Sequence, residues 1–365
     1  MMALLPDKAQ PIRDAVFAAY EADRNDEFRD HLGASIIGQE CERALWYGFR
    51  WASKTDFPGR VLRLFETGNL EEDRLVRNLR RIGATVLDRD PETGRQWRVE
   101  APAEYGGRHF GGSLDGLAHN LPEAPKTWHV VEFKTHSAKS FRQLSKGVKT
   151  AKPQHWAQMQ VYMHLMRLTR ALYMAVCKDT DDLYTERVKY DCEAAEALLK
   201  RAKRVIEGDR PPAKLSEDPD YYLCRFCDHQ ELCHGDGFAP RHCRSCLHST
   251  AVEEGKWHCA KWDKHLSSAE QRAGCKEHRY IPDLVPGELE TVDGDRLVYR
   301  RSDESLFVDG GLKPGETVKR GTCKNCGSAS QTVHAGKGPH AAELRCRDCE
   351  RHMGWLAKAE VGGET

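Results

Sequence analysis

The stretch Gly111–Lys134, GGSLDGLAHNLPEAPKTWHVVEFK, decides how this chain is read. Two strand-like runs flank a proline-containing turn, with Asp115 on the first and Glu132 and Lys134 on the second. Side chains alternate faces along a strand, so Glu132 and Lys134 point one way while Val131 and Phe133 point the other. Two carboxylates and an ammonium then share a face. Hard divalent ions such as Mg2+ and Mn2+ suit carboxylate donors and retain waters, one of which a nearby lysine orients or deprotonates. That set suits metal-dependent phosphodiester cleavage; the competing reading is an ordinary surface ion pair on a hairpin. A second E-x-K at Glu254 and Lys256 lies in a glycine-broken polar stretch without strand character, and carries no such expectation.

The chain has 365 residues, enough for two or more domains. Neither a membrane-length apolar run nor a basic leader with an apolar core is evident, so a protein without a membrane partner is expected. Lys plus Arg and Asp plus Glu number 56 each, so net charge points to no nucleic-acid partner and any such contact must come from a local patch. Fourteen cysteines without a secretory leader argue for a reducing compartment, the cytoplasm, where thiols serve as ligands or lie buried.

The cysteines fall into sets: Cys224, Cys227 and Cys233 as C-x2-C-x5-C; Cys243, Cys246, Cys259 and Cys275; Cys323, Cys326, Cys346 and Cys349 as C-x2-C-x19-C-x2-C; and Cys41 far upstream. The last set of four is a zinc-ribbon pattern, two knuckles on one tetrahedral ion. The middle set is more spread out, and His258, His265 and His278 compete as ligands. Structural Zn2+, about two ions, is the expectation for these sets. Cys177 and Cys192 read as buried free thiols.

Along the chain, Ile12, Val16, Phe17 and Tyr20 mark an N-terminal helix. SIIGQECERALWYGFRW reads as a helix from Ser35, with Leu45, Trp46 and Phe49 on its apolar face, Arg43 and Arg50 elsewhere, and Cys41 inside it. A second helix carries Leu75, Val76, Leu79 and Ile82 inward and stops at Gly83. Its early acids, Glu71 and Glu72, either complement the helix dipole or supply a third carboxylate to the metal. Strands are expected at Thr85–Leu87, Trp97–Val99, His109–Leu117 and Trp128–Thr135. Lys139, Arg142, Lys146, Lys149 and Lys152 then accumulate where a phosphate backbone would be held. The helix PQHWAQMQVYMHLMRL places Gln158 and Tyr162 on one face; the strands RALYMAVCK and LYTERVKY and the helix CEAAEALLKRAKRVIEG complete an α/β unit. Arg296–Arg300 and Ser305–Val308 form a small hairpin-like piece.

With these residues assembled, the chain resembles the PD-(D/E)XK nucleases of the RecB-like branch, which includes the AddB nuclease domain, the CRISPR-adaptation exonucleases and, more distantly, lambda exonuclease. Asp115 matches the motif Asp, and Glu132 and Lys134 match E-x-K. Glu72, four residues after Gly68, matches the acid of G-x-x-x-E, and Gln158 and Tyr162 match Q-x-x-x-Y. Leu114 stands where the motif name has Pro, and Glu72 where some relatives carry His. The resemblance implies catalysis by Asp115, Glu132, Lys134, Glu72, Gln158 and Tyr162 with Mg2+ or Mn2+, and DNA as substrate. Lys146, Lys149 and Lys152 are the expected DNA contacts. Cys41 with Cys224, Cys227 and Cys233 resembles the thiolate set that holds a [4Fe-4S] cluster in this branch. Spacing alone admits zinc there, with His234 as a substitute ligand.

The expected fold class is α/β: a restriction-endonuclease-like mixed central sheet flanked by helices, followed by small zinc-ribbon-type modules. The expected divisions are an N-terminal helical extension at 1–30, a nuclease domain with a metal-cluster clasp at 31–237, a Cys/His-rich zinc module at 238–283, a linker or small β element at 284–320, and a zinc ribbon at 321–365. The expected function is a deoxyribonuclease, an exonuclease by mode, in recombination, repair or phage DNA processing, with a recombination or annealing protein as a further partner. The alternative is a catalytically silent metal-cluster DNA-binding or scaffold protein with a nuclease fold; a redox enzyme lacks any G-x-G-x-x-G loop.

Overall fold

Hydrophobic periods in the sequence become elements in the computed structural model, which describes residues 10–24, 28–293, 296–302, 306–310, 323–326, 331–335, 337, 340–346 and 349–357. The polar tail, Gly321 and Ser305 lie outside these residues. In chain order the first elements are α1 (Pro11–Ala22), β1 (Leu32–Gly33), α2 (Glu42–Phe49), α3 (Gly59–Arg81), β2 (Thr85–Leu87), β3 (Arg98–Glu100), β4 (Phe110–Ser113), β5 (Gly116–His119) and β6 (His129–His136). They continue with α4 (Ala138–Arg142), α5 (Val148–Ala151), α6 (Pro153–Met166), β7 (Arg170–Cys177), β8 (Leu183–Lys189) and α7 (Cys192–Glu207). The chain divides into two compact units. Residues up to Glu40 together with Lys54–Arg204 form one; Cys41–Ser53 and the chain from Val205 onward form the other.

The first unit is an α/β fold around a mixed five-stranded sheet ordered β2-β5-β6-β7-β8. Within this sheet β6 and β7 run parallel, which requires the crossover that α4, α5 and α6 provide, while the other neighbouring pairs are antiparallel. The alternation of β6 sends Val131 and Phe133 into a core with Leu75, Val76 and Leu79 of α3, Val86, Ala118, Leu121, Leu172 and Met174. Each fully buried aliphatic side chain of this kind contributes roughly 1.5–3 kcal/mol. On the opposite face lie Glu132 and, across the parallel register, Tyr173. A smaller sheet, β1-β4-β3, adjoins the break at Leu114 and Asp115.

Several expectations change. The single strand expected at His109–Leu117 is two, β4 and β5, in different sheets, with Asp115 in the break between them. The helix expected from Ser35 begins only at Glu42, and Cys41 is its N-cap, accepting from the Ala44 amide at 3.4 Å. Gly38 explains the delay: a Cβ there would stand 2.8 Å from the Gln154 Cα and the Ala157 Cβ, so the segment turns tightly against α6. Arg50 is buried, not outward, with its guanidinium over the Trp46 and Trp257 rings at 5.5 and 4.9 Å. Ile82 is 58% exposed, outside the core. Cys177 is buried as expected, whereas Cys192 is exposed.

The second unit adds α8 (Gln230–His234), β9 (Ser249–Ala251), β10 (Trp257–Cys259), β11 (Lys264–Leu266), α9 (Ser268–Ala273), β12 (Glu288–Asp293), β13 (Arg296–Arg300), β14 (Leu306–Asp309), β15 (Gln331–Ala335), β16 (His340–Cys346) and β17 (His352–Ala357). These strands make three separate three-stranded antiparallel sheets. Small sheets of this size bury little, which suits modules stabilised by metal. Among the described residues no helix is long and apolar enough to cross a membrane.

Candidate active site and metal centres

Asp115 is held in place by the main chain: the Phe133 amide donates to its Oδ2 at 2.7 Å. Glu132 is fully buried, and Lys134 is its ion-pair partner, while the Lys134 ammonium also donates to the Phe133 carbonyl at 3.0 Å. Among the described residues, neither Glu132 oxygen accepts a well-formed hydrogen bond. A buried carboxylate so poorly satisfied is costly unless a cation takes up its charge. Glu72 sits one turn before Leu75 and Val76 on the sheet-facing side of α3. Beside it Arg74 grips Asp181 of the β7–β8 turn at 2.7 and 2.5 Å and Glu71 at 3.3 Å, pinning the helix. Glu71 is thereby in an ion pair.

The electrostatics bind the four groups together. Burial, then repulsion from Asp115, raises Glu72 to about 7. Burial raises Glu132 to about 8, with Lys134 pulling it back and Asp115 and Glu72 adding to the rise. Asp115 is raised too, by burial. Burial lowers Lys134, but Glu132, Asp115 and Glu72 together outweigh it and raise the ammonium to about 12. Three oxygen donors that cannot all ionise alone fit a hard divalent cation.

Tyr162 on α6 braces the same region, donating to the Ser113 carbonyl at 2.8 Å, with Gln158 at 3.4 Å from its hydroxyl. Gly112 is required here: a Cβ would stand 2.4 Å from the Tyr162 hydroxyl. The three lysines differ. Lys146 is exposed; Lys149 lies over the Trp156 ring at 4.4 Å and 3.7 Å from Asp191; Lys152 turns to Ser140 Oγ at 2.7 Å. The decoy pair Glu254 and Lys256 is a local 2.6 Å ion pair in a turn where Glu254 has φ 59°.

Cys41, Cys224, Cys227 and Cys233 line one cavity of the second unit, with His229 and His234. Burial, then neighbouring thiols, raises Cys227; burial also raises Cys233, and both sense Cys41. His229 gave no sequence signal as a neighbour of the set; its Nδ1 is 2.5 Å from Ser53 Oγ. Cys243, Cys246, Cys259 and Cys275 line a second cavity with His248 and His278. His258 and His265 do not line it; His258 pairs with Asp263 at 3.2 Å, and His278 Nε2 meets Ser245 Oγ at 3.0 Å. In the last set the ligand atoms of Cys323, Cys326, Cys346 and Cys349 all lie within 4.8 Å of one another. Their Sγ–Sγ contacts of 3.6 and 3.4 Å match the spacing of about 3.8 Å expected for thiolates on one tetrahedral ion. Sequence reasoning also passed over His136, His155 and Tyr173, which join by hydrogen bonds beside the acids.

No curated protein matches the chain. Among solved structures, the LHK-Exo complex with dAMP aligns at 16% identity and TM-score 0.34, covering 52% of this chain and 89% of that one. The alkaline exonuclease LHK-Exo from Laribacter hongkongensis aligns at 15% identity and TM-score 0.34, covering 53% and 90%. SSO0001 aligns at 13% identity and TM-score 0.36, covering 61% and 95%. A family profile matches residues 39–234, more than half of the sequence, and on that match the chain belongs to the PD-(D/E)XK nuclease superfamily.

Proposed function

We propose that the protein is a Mg2+- or Mn2+-dependent deoxyribonuclease acting as an exonuclease, in recombination, repair or phage DNA processing. The observation that carries this reading is the buried, poorly satisfied Glu132 carboxylate beside Asp115, Glu72 and Lys134. Asp115, Glu132 and Glu72 would hold the cation. Once bound, it supplies Lewis-acid polarisation of the phosphodiester and a water of lowered pKa. Lys134, kept cationic by three acids, orients the attacking water and offsets the charge that builds on phosphorus; it is held in the wrong protonation state for a base. Tyr162 and Gln158 fix the Gly112–Ser113 backbone on which the position of Asp115 depends. Lys146 and Lys149, both exposed, together with the half-buried Lys152 provide the cationic approach for the DNA backbone.

Cys41, Cys224, Cys227 and Cys233 hold a [4Fe-4S] cluster in this reading, supported by four thiols at one cavity, and the two other cysteine sets hold zinc. A broad visible absorption band in anaerobically purified protein is expected; a colourless, zinc-loaded sample overturns the cluster assignment. For the nuclease, purified protein with Mn2+ should degrade DNA, and Asp115→Ala and Lys134→Ala should each lose activity by at least about 100-fold. Equal cutting by both variants and the wild type sinks the assignment.

A further inference from the structure

Beyond the acids, β6, α4, α6 with its N-cap Lys152, and β7 bring together five polar groups that the nuclease motifs do not include. Lys152 Nζ donates to Ser140 Oγ at 2.7 Å. Ser140 Oγ is 3.1 Å from His136 Nδ1, His136 Nε2 is 2.8 Å from the Tyr173 hydroxyl, and that hydroxyl is 3.0 Å from His155 Nδ1. The rings are layered, with His155 stacked on Tyr173 at 5.8 Å and on His136 at 5.9 Å.

The direction of the protons in this chain follows from donor capacity. An ammonium only donates, so Ser140 Oγ accepts from Lys152 and retains one proton to give. If it gives that proton to His136 Nδ1, then His136 carries its own on Nε2 and donates to the Tyr173 oxygen. The Tyr173 hydroxyl in turn donates to His155 Nδ1. Every proton inside the chain is then used, and one remains over: Nε2–H of His155. The reverse order leaves the Ser140 hydroxyl proton without an acceptor among the described residues. It also turns the Nδ1–H of His136 toward the Lys152 ammonium. The forward order is favoured on both counts. Both imidazoles stay neutral near pH 7: burial, then Lys152 and Lys134, lowers His136 to about 4, and burial, then Lys134, lowers His155 to about 3.

His155 is half-buried and lies on the α6 face that carries Gln158 and Tyr162. Tyr173, its partner, stands directly across from Glu132 in the β6–β7 register. The geometry points to His155 as a further substrate-binding residue: a neutral Nε2–H donor, fixed in tautomer by the Lys152–Ser140–His136–Tyr173 chain, for a non-bridging oxygen of the phosphodiester. Being neutral, it binds the phosphate without competing with a metal for the acids. This rests on the nuclease reading above.

Three variants and one spectrum test it. Glutamine places an amide N–H near the position of Nε2–H, so His155→Gln should stay within about threefold of wild type in kcat/KM. His155→Leu should fall by about 10- to 100-fold, and Tyr173→Phe, which frees the tautomer, by about three- to tenfold. Melting curves show that each variant is folded. Nitrogen-15 NMR of histidine-labelled protein should show the proton of both His136 and His155 on Nε2. Wild-type activity in His155→Leu, or an Nδ1–H tautomer at His155, overturns the inference. Asp115→Ala is run alongside: retained activity there defeats the nuclease reading itself, whereas an inactive Asp115→Ala beside a fully active His155→Leu defeats only this one.

Discussion

Glu132 holds a carboxylate where no water reaches it, and stability and chemistry make opposite demands on it. Removing its charge should relieve the fold and disable the site. In chelator, Glu132→Gln is expected to melt no lower than wild type while losing at least about 100-fold of Mn2+-dependent activity. A clear drop in melting temperature with activity intact would contradict both halves. Asp309 gives a pH signature in the second unit. Its Oδ2 accepts from the Tyr280 amide at 2.5 Å, its Oδ1 accepts no well-formed hydrogen bond among the described residues, and burial raises it to about 6. Because the folded value exceeds the unfolded one near 3.9, the proton's stabilisation is complete below pH 4 and lost as pH rises through 6. Asp309→Asn, fixed in the neutral form, should therefore gain on wild type by on the order of 2 kcal/mol between pH 4 and 7. Parallel melting profiles over that range would refute it. At this scale the shared face of Glu132 and Lys134 was readable because two-residue spacing on a strand fixes a face. Arg50 and Arg244 were not, since a charge buried over Trp and Phe rings looks the same in sequence as a solvated one.

Among elements, α6, β7, β8 and α7 fall where the sequence places them, because none is interrupted by an internal glycine or proline. The two misplaced boundaries each have a tertiary cause. Gly38 packs on α6 and delays α2, and the strand through Asp115 breaks where it passes between two sheets. No local propensity records either event. The packing of α6 against β4 is testable at Tyr162 and Gly112. Tyr162→Phe should cost about 1 kcal/mol through loss of the bond to the Ser113 carbonyl. Gly112→Ala should cost about 1–3 kcal/mol by overpacking against that hydroxyl. The two should not be additive, because the phenylalanine removes the atom that the new methyl strikes. Additive losses in chemical unfolding would show that the contact is not made. The grouping of Cys323, Cys326, Cys346 and Cys349 was legible from spacing alone; under the zinc reading proposed above, Cys346→Ser, at a fully buried thiol, should lower bound zinc by one ion per chain in elemental analysis.

For the whole molecule, the two units differ in what stabilises them: a sheet with an apolar core in the first, small sheets and cysteine sets in the second. Strong chelation should therefore lower one calorimetric transition and leave the other within a few degrees. A single transition that moves as one would disprove separate stabilisation. The division itself was hard to see in sequence because it is not contiguous: Cys41–Ser53 leaves the first unit and joins a second one whose remainder begins at Val205.

That excursion sets a schedule for synthesis. The ribosome delivers Cys41 and the apolar side of α2 long before it delivers Cys224, roughly 180 residues later. At about 5–20 residues per second, Trp46 and Phe49 wait on the order of 10–40 seconds for the partners that bury them. Through that interval the nascent chain presents a sticky helix and an unclaimed thiol, a window in which a chaperone or a cofactor-delivery factor has its natural point of entry.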